Sequence, residues 1–105
     1  MPPGKLCAGE VELDPRAHRA WLSGREIDLS HKQFALLELL LRHRGQVVSR
    51  AMILKRLWGY DFDPGTNLVD VHVANLRHKI DLPGRPSVIQ SVRGVGYRLE
   101  GTADA

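Results

Sequence analysis

The sequence contains a single cysteine, Cys7, so a disulfide bond within the chain is excluded. The longest apolar run, residues 34–41, is interrupted by Glu38 and is far shorter than the roughly 20 residues that cross a bilayer. The opening Met-Pro-Pro lacks the basic start and apolar core of a signal peptide. Because a small chain without cross-links is compatible with a reducing compartment, we expect a cytoplasmic protein that does not contact a membrane.

Residue patterns that carry catalysis are also scarce. No glycine-rich, phosphate-binding loop precedes a helix, since Gly94 and Gly96 lead into a predicted strand. The histidines lack metal-ligand spacing; His72 and His78, for example, would point about 120° apart on a helix. Cys7 lies in a predicted strand with no cationic or histidine residue directly beside it, which favours a buried structural thiol over a nucleophile. We therefore expect no enzyme activity, no cofactor and no metal ion.

The charge of the chain permits a polyanionic partner without requiring one. The formal net charge is +3 and the pI is about 9.4, a modest basic balance. Lysine and arginine exceed the acidic residues more strongly after residue 48 than before it. The length predicts one domain, residues 1–105, with enough apolar residues for one core.

The first 29 residues predict a small antiparallel sheet. Glycine and proline divide this region into pieces too short for helices, which read as strands over residues 6–8, 11–13, 19–22 and 26–29. Residues 23–25 suit a hairpin turn. Because so short a sheet is marginal alone, one of its faces must pack against the elements that follow.

Two helices are predicted next. Ser30 and Gln33 form a capping box at the start of the first helix, which carries leucines at helical spacing and ends at Gly45. Residues 47–48 form a short extended link. Ser49 then caps a second helix, which ends at Leu57 or Trp58. A turn-rich loop over residues 59–65 separates it from a third helix.

The third helix is predicted over residues 66–81, with Thr66 or Asn67 as its cap. At 100° per residue, its apolar residues form one stripe: Val69, Val73, Leu76 and Ile80. The opposite face collects Asn67, Val71, Ala74, Asn75 and His78, with Arg77 and Lys79 on the flanks. Short polar groups facing outward, with cations at the edges, suit a helix that enters the major groove of DNA.

Single residues on this helix leave alternatives open. Val71 could contact a thymine methyl group, although isolated surface valines are common. Asn75 could bond adenine in a bidentate manner or simply be solvated, and Asn67 could contact DNA or only cap the helix. His72 is expected to be half-buried and structural or to face a phosphate. Arg77 is expected to pair with Asp70 or with a phosphate rather than to read a base.

A hairpin is predicted after the third helix, with strands at 88–92 and 97–99. Gly94 and Gly96 supply positive φ angles for a tight turn. Arg93 at this turn is expected to contact DNA, whereas Arg98 could be a charged edge residue that discourages strand pairing. A basic hairpin beside a groove-bound helix can reach phosphates or the minor groove. The elements together predict an α+β fold of the winged helix-turn-helix type.

These segments resemble the DNA-binding effector domain of OmpR/PhoB-type response regulators over about residues 5–99. The resemblance is carried by the following groups: Leu29-Ser30 with Gln33-Phe34, Gly45-Gln46-Val47-Val48-Ser49-Arg50, Leu57-Trp58-Gly59, Val69-Asp70-Val71-His72-Val73, Leu76-Arg77 and Val92-Arg93-Gly94-Val95-Gly96-Tyr97-Arg98-Leu99. It implies an N-terminal four-stranded sheet, three helices and a C-terminal hairpin wing over residues 88–99. It also implies that the third helix enters the major groove while the wing touches the minor groove.

The resemblance and the helix faces together assign the contacts. The expected base contacts are Asn67, Val71, Asn75, His78 and Arg93. The expected phosphate contacts, or supports of the contacting elements, are Trp58, Thr66, His72, Arg77, Lys79 and Tyr97. The resemblance further implies that the loop between the second and third helices faces RNA polymerase, through Tyr60, Asp61, Phe62 and Asp63.

The chain departs from the family pattern at several positions. Ser30 and Gln33 stand where threonine and glutamate are usual, which preserves the capping chemistry. Ala51 replaces a usual glutamate, so any salt bridge of that glutamate is absent. Ala74 and Asn75 stand where many members carry arginine. Base preference therefore cannot be copied from relatives.

The family also suggests the partners. We expect double-stranded DNA with tandem half-sites, RNA polymerase, and a receiver domain with a sensor kinase upstream. The sequence has no room for a receiver, so an excised, mostly monomeric effector domain that dimerises on DNA is expected in preference to a freestanding regulator. The rival reading is a winged helix that binds only protein or RNA.

Overall fold

The computed structural model describes residues 5–99. The ends of the expected 1–105 domain and the Met-Pro-Pro start lie outside the described residues. The first elements form an antiparallel sheet in the order β1-β2-β3-β4: β1 (Leu6–Ala8), β2 (Val11–Asp14), β3 (Arg19–Leu22) and β4 (Arg25–Ile27). The four predicted strands are confirmed, with β4 shifted towards the preceding turn.

The inner face of this sheet is apolar, with Ala8, Val11 and Leu13 all buried. Successive side chains of a strand point to opposite faces, so Cys7 and its partner Glu12 point outward. Cys7 is exposed. The prediction of a buried thiol was therefore wrong, because it took account of the strand but not of which face the residue occupies.

The first helix, α1 (His31–Arg42), begins with the predicted capping box. The Ser30 hydroxyl accepts a hydrogen bond from the Gln33 amide at 3.1 Å, and the Gln33 side chain accepts one from the Ser30 amide at 2.9 Å. The helix ends before Gly45, because the backbone already leaves helical geometry at His43. Gly45 instead lies in the following turn with a φ of 84°.

A short strand, β5 (Val47–Ser49), follows where only an extended link was predicted. The next helix, α2 (Arg50–Trp58), has the predicted cap, since the Ser49 hydroxyl accepts a hydrogen bond from the Met52 amide at 3.1 Å. Gly59 ends this helix in the left-handed conformation, with a φ of 74°. That conformation favours glycine.

The third helix, α3 (Leu68–Ile80), begins later than predicted. Asn67 occupies the cap position but its side chain makes no capping hydrogen bond, so neither Thr66 nor Asn67 caps the helix through its side chain. The hairpin, called the wing below, consists of β6 (Ile89–Val92) and β7 (Gly96–Leu99). With β5 it forms a three-stranded sheet in the order β5-β7-β6.

The two glycines of the wing have different roles. Gly94 has a φ of 76° in the turn, as predicted. Gly96 lies in β7 and its φ is not positive, so the prediction of a left-handed turn residue was wrong there. Its backbone instead passes so close to β5 that a β-carbon would lie 2.1 Å from the Val48 carbonyl oxygen.

The core lies between the two sheets and the helices, with α1 at its centre. Leu36, Leu37 and Leu40 of α1 are completely buried, as are Val73 and Leu76 of α3. Full burial of one such side chain contributes on the order of 1.5–3 kcal/mol, so α1 and α3 are held mainly by packing. Among residues 5–99, no helix combines the length and apolar character required to cross a membrane.

Candidate nucleic-acid interface

The helix α3 presents one buried and one exposed face. Its apolar stripe (Val69, Val73, Leu76 and Ile80) is buried, as predicted. The residues on the other side, called the outer face of α3, are all exposed: Val71, Ala74, Asn75 and His78. Val71 is 43% exposed, so its methyl groups are accessible to a partner, although single exposed apolar side chains are common.

The turn of the wing offers a second exposed element. Arg93 and Gly94 are exposed, and Val95 is 51% exposed. The Val95 amide donates a hydrogen bond to the Val92 carbonyl at 2.9 Å, which closes the turn. Since glycine has no side chain, the turn stays slim and leaves the Arg93 guanidinium beside a narrow tip.

An acidic residue of α3 joins three elements of the fold. Asp70 accepts two hydrogen bonds from the Arg50 guanidinium, at 2.9 and 3.1 Å, and a third from the Tyr97 hydroxyl. The Asp70–Arg50 contact crosses from α3 to the start of α2, and the Asp70–Tyr97 contact crosses from α3 to β7. Arg77 does not pair with Asp70, so that alternative is wrong.

These contacts shift the ionisation of the groups involved. The Tyr97 hydrogen bond and the Arg50 ion pair hold the pKa of the Asp70 carboxyl below its ordinary value, against the opposing effect of burial. Burial and the hydrogen bond to Asp70 raise the pKa of the Tyr97 hydroxyl. At neutral pH Asp70 is therefore ionised and Tyr97 is protonated, the states in which the acceptor and the donor match.

Arg77 ties α3 to the other strand of the wing. Its guanidinium donates to the Ile89 carbonyl oxygen at 2.6 and 3.2 Å and to the Ser91 hydroxyl at 3.2 Å. The Tyr97 ring lies near two cations, with the guanidinium carbons of Arg50 and Arg77 at 5.3 and 5.8 Å from its centroid. Such distances allow cation–π attraction between each guanidinium and the ring.

Trp58 and His72 meet between the end of α2 and the first turns of α3. Their rings are perpendicular with centroids 4.8 Å apart, and both side chains are half-buried. His72 Nδ1 lies 3.3 Å from the Leu68 carbonyl oxygen. The Lys32 ammonium lies 5.4 Å from the Trp58 centroid and donates to the Leu57 carbonyl. His72 thus has the half-buried position expected for it.

The other expected phosphate-contact residues are placed differently. Thr66 is exposed just before α3. Lys79 donates to the Asp28 carbonyl at 2.9 Å, which directs its ammonium towards the N-terminal sheet. Tyr97 is only 4% exposed and its hydroxyl is bound to Asp70. For Lys79 and Tyr97 the geometry favours support of the surface over direct contact with a ligand.

The loop between α2 and α3 forms a separate surface. The rings of Tyr60 and Phe62 stack with centroids 5.2 Å apart, and Phe62 is 63% exposed. Asp61 pairs with Lys55 of α2, and the Asp63 carboxylate accepts a hydrogen bond from the Gly65 amide at 2.8 Å. The loop and α2 line a groove of about 460 Å³, to which apolar and aromatic side chains contribute together with charged side chains of both signs.

Sequence reasoning missed Arg50 as one of the residues that join α2, α3 and β7 through Asp70. Its place at the start of α2 was visible, but its partner Asp70 is 20 residues away and no local pattern joins the two. The structure joins α3 to the wing through Asp70 and Arg77, and it places Tyr60–Asp63 in the groove beside α2, which Arg50 also lines. Among residues 5–99, no group of three or more histidine, cysteine or acidic side chains is arranged to hold a metal ion.

A protein-family model and curated sequences both match this chain to transcriptional regulatory proteins. Residues 24–99 match the family described as transcriptional regulatory protein, C terminal. The transcriptional regulatory protein TcrA of Mycobacterium tuberculosis is 46% identical over 97 residues, which cover 92% of this chain and 38% of TcrA. The chain spans less than half of the length of the curated relatives it matches.

Solved structures agree with this match. The DNA-binding domain of Klebsiella pneumoniae RstA, in complex with the RstA box, superposes with a TM-score of 0.83 at 33% identity and covers 92% of this chain and 97% of that one. The DNA-binding domain of CpxR from E. coli gives a TM-score of 0.82 at 34% identity, with 98% and 100% covered. The predicted winged-helix fold is confirmed.

Proposed function

Because this chain belongs to the family of C-terminal domains of transcriptional regulatory proteins, the winged-helix effector domains of OmpR/PhoB-type response regulators, we propose that it binds double-stranded DNA sequence-specifically as the output domain of a two-component regulator. The observation that supports this best is the outer face of α3, which is exposed while the apolar stripe on the opposite side of the helix is buried. The major groove is wide enough to admit an α-helix, and an exposed face of this kind would then lie against the base edges.

Base readout is assigned to α3 and to the turn of the wing. Val71 offers a methyl contact to thymine, and Asn75 offers the bidentate pattern that adenine accepts. Asn67, His78 and Arg93 complete the proposed base contacts. Asn67 is exposed and makes no capping hydrogen bond, so its amide is available to a ligand.

Phosphate contact is assigned to residues at the edges of this surface. Thr66 is exposed, whereas Trp58 and His72 are half-buried and present only part of their rings. Arg77 is half-buried and bonded to the wing, so it can offer a phosphate only the part of its guanidinium that β6 leaves accessible. Lys79 and Tyr97 act as supports, because their polar atoms are bound within the protein.

The loop at Tyr60, Asp61, Phe62 and Asp63 is proposed to face RNA polymerase. The stacked pair of half-buried Tyr60 and exposed Phe62 suits a partner that offers apolar side chains. The full-length protein is proposed to carry a receiver domain controlled by a sensor kinase and to work at the nucleoid in the cytoplasm. Two copies are proposed to occupy tandem half-sites about one helical turn apart, while the isolated domain is mostly monomeric.

One experiment tests the function directly. A random duplex pool is passed over the immobilised domain, and the enriched sequence is then titrated at two salt concentrations. We expect a defined motif and a linear fall of log K with log salt, since phosphate contact releases counterions. A pool that stays random, or binding that is insensitive to salt, contradicts the proposal. Binding of single-stranded RNA in preference to the duplex favours the rival reading.

A further inference from the structure

We propose that Asp70 and Tyr97 are positioning residues that hold the wing at a fixed place relative to α3, so that Arg93 and the outer face of α3 meet DNA as one rigid surface. This inference rests on the proposed function and adds how α3 and the wing keep a fixed position relative to each other. It assigns a role to an acidic side chain that stands at the start of a DNA-facing helix.

The wing is attached to α3 at two points. Tyr97 of β7 donates to Asp70, and the Arg77 guanidinium donates to the Ile89 carbonyl and the Ser91 hydroxyl of β6. Asp70 and Arg77 are seven residues apart, which is nearly two helical turns and roughly 10 Å along one side of the helix. Since one link reaches each strand of the hairpin, the wing is restrained against both sliding and rotation.

The charge of Asp70 is unfavourable for DNA binding, so its presence on α3 is best explained by a structural role. A carboxylate beside the outer face of α3 repels phosphate and by itself lowers affinity for DNA. Arg50 lies against it at 2.9 Å and offsets its charge. The carboxylate keeps its pKa below the ordinary value through the Tyr97 hydrogen bond and the Arg50 pair, so it is an ionised and therefore strong acceptor.

The wing depends on such links because it is small. Each of its strands has four residues, and β6 pairs with β7 alone. A hairpin of this size is marginally stable by itself. β7 is held by β5 on its other side, but Arg93 lies at the turn, beyond the strand pairs that fix its position.

The substitution Tyr97→Phe tests the inference with little disturbance. It removes the hydroxyl that donates to Asp70 and keeps the ring that lies near Arg50 and Arg77. The matched control is Ser23→Ala, which removes a hydroxyl that donates to the Glu10 carboxylate at 3.1 Å, between two turns of the N-terminal sheet. Both variants lose one hydroxyl–carboxylate hydrogen bond, but only Tyr97→Phe loses one between α3 and the wing.

The first measurement uses the free protein. Backbone relaxation and hydrogen exchange by NMR should show greater mobility and faster exchange across residues 91–97 in Tyr97→Phe than in wild type or Ser23→Ala. The second measurement is a double-mutant cycle on duplex DNA. Arg93→Ala should weaken binding about tenfold in wild type but less than about threefold in Tyr97→Phe, because a loosely held wing no longer places the guanidinium.

Each result has a definite consequence. Unchanged mobility of the wing in Tyr97→Phe overturns the inference, whatever happens on DNA. Greater mobility with an equal Arg93→Ala effect in both backgrounds also overturns it, because Arg93 then does not depend on the hydrogen bond. If wild type fails to bind any duplex, the proposed function falls, while the mobility measurement still decides whether the wing is held in this way.

Discussion

The α-carbon of Gly96 lies so close to the carbonyl group of Val48 that a β-carbon built on it would come within 2.1 Å of the oxygen. This contact joins β7 to β5, the strand that leads into α2. The neighbouring atom is backbone rather than a flexible side chain, so it cannot turn aside. The close approach therefore requires glycine at this position and links the wing to the body of the domain.

Gly96→Ala should lower the free energy of unfolding by about 1–3 kcal/mol or more, because the two strands must move apart. Denaturant unfolding followed by circular dichroism measures this loss. The control is Gly94→Asn, which has open space around it and a φ of 76° that asparagine adopts readily. A larger loss for Gly94→Asn than for Gly96→Ala would contradict the steric explanation.

Ser49→Ala should cost about 1 kcal/mol of stability, since the hydroxyl accepts the Met52 amide at the start of α2. Asn67→Ala should cost clearly less, because the Asn67 side chain makes no capping hydrogen bond. Thermal melts of the two variants make the comparison. If Asn67 reads a base, Asn67→Ala weakens DNA binding at nearly unchanged melting temperature; equal thermal losses would show that Asn67 does cap α3.

The Asp70 carboxylate should make stability depend on pH in the acid range. Its pKa in the folded state lies below the ordinary value of 3.8, so its contribution is fully present above that value and is lost as the pH falls through the folded pKa. Asp70→Asn should therefore be less stable than wild type at neutral pH, and the difference should shrink below about pH 4.

In Tyr97→Phe, the free energy of unfolding should depend less on pH in the acid range than in wild type. Urea unfolding at a series of pH values measures both, and a pH-independent difference between wild type and Asp70→Asn would rule the assignment out.

Asn75→Ala should relax the preference at one base pair and cost on the order of 1–3 kcal/mol on the selected site. The amide is exposed on the outer face of α3, and a bidentate bond to adenine is lost with it. Competition titrations against all four base pairs at each position measure the effect. An equal loss on scrambled duplex would identify Asn75 as a backbone contact.

If the wing acts mainly through phosphate or groove electrostatics, Arg93→Ala should weaken binding to every sequence and lower the slope of log K against log salt by about one; a loss confined to one base pair would instead identify the proposed base contact. Arg16→Ala is the matched control, because Arg16 is an exposed arginine in the turn between β2 and β3. It removes the same charge from the other sheet and should leave the slope nearly unchanged. Equal slopes for the two variants would mean that net charge, rather than the wing, carries the interaction.

Much of the fold was predictable because it depends on nearby residues. The capping box of Ser30 and Gln33 and the buried stripe of α3 follow from spacings of three and four residues. The four strands of the first sheet follow from short alternating segments between turns. Local patterns of this kind act before the chain is folded, so they can be recognised in the sequence.

Other features could not be predicted from the sequence, because the residues that cause them are distant in the chain. Residues 47–49 became a strand only because β7, some 50 residues later, pairs with them. The exposure of Cys7 depends on which face of the sheet α1 covers. Gly96 was expected to need a left-handed turn, but the reason for glycine there is the backbone of Val48.

The sequence by itself determined the three helices and all strands except β5, the face of α3 that is buried and the family to which the chain belongs, because these depend on periodicity, capping and short motifs. Only the tertiary structure decided how the reading elements are joined. Asp70 finds Arg50 and Tyr97 across 20 and 27 residues, and Arg77 bonds to the wing instead of to Asp70. Such contacts are selected by packing in three dimensions, where several partners compete for each charged group and distance in space decides between them.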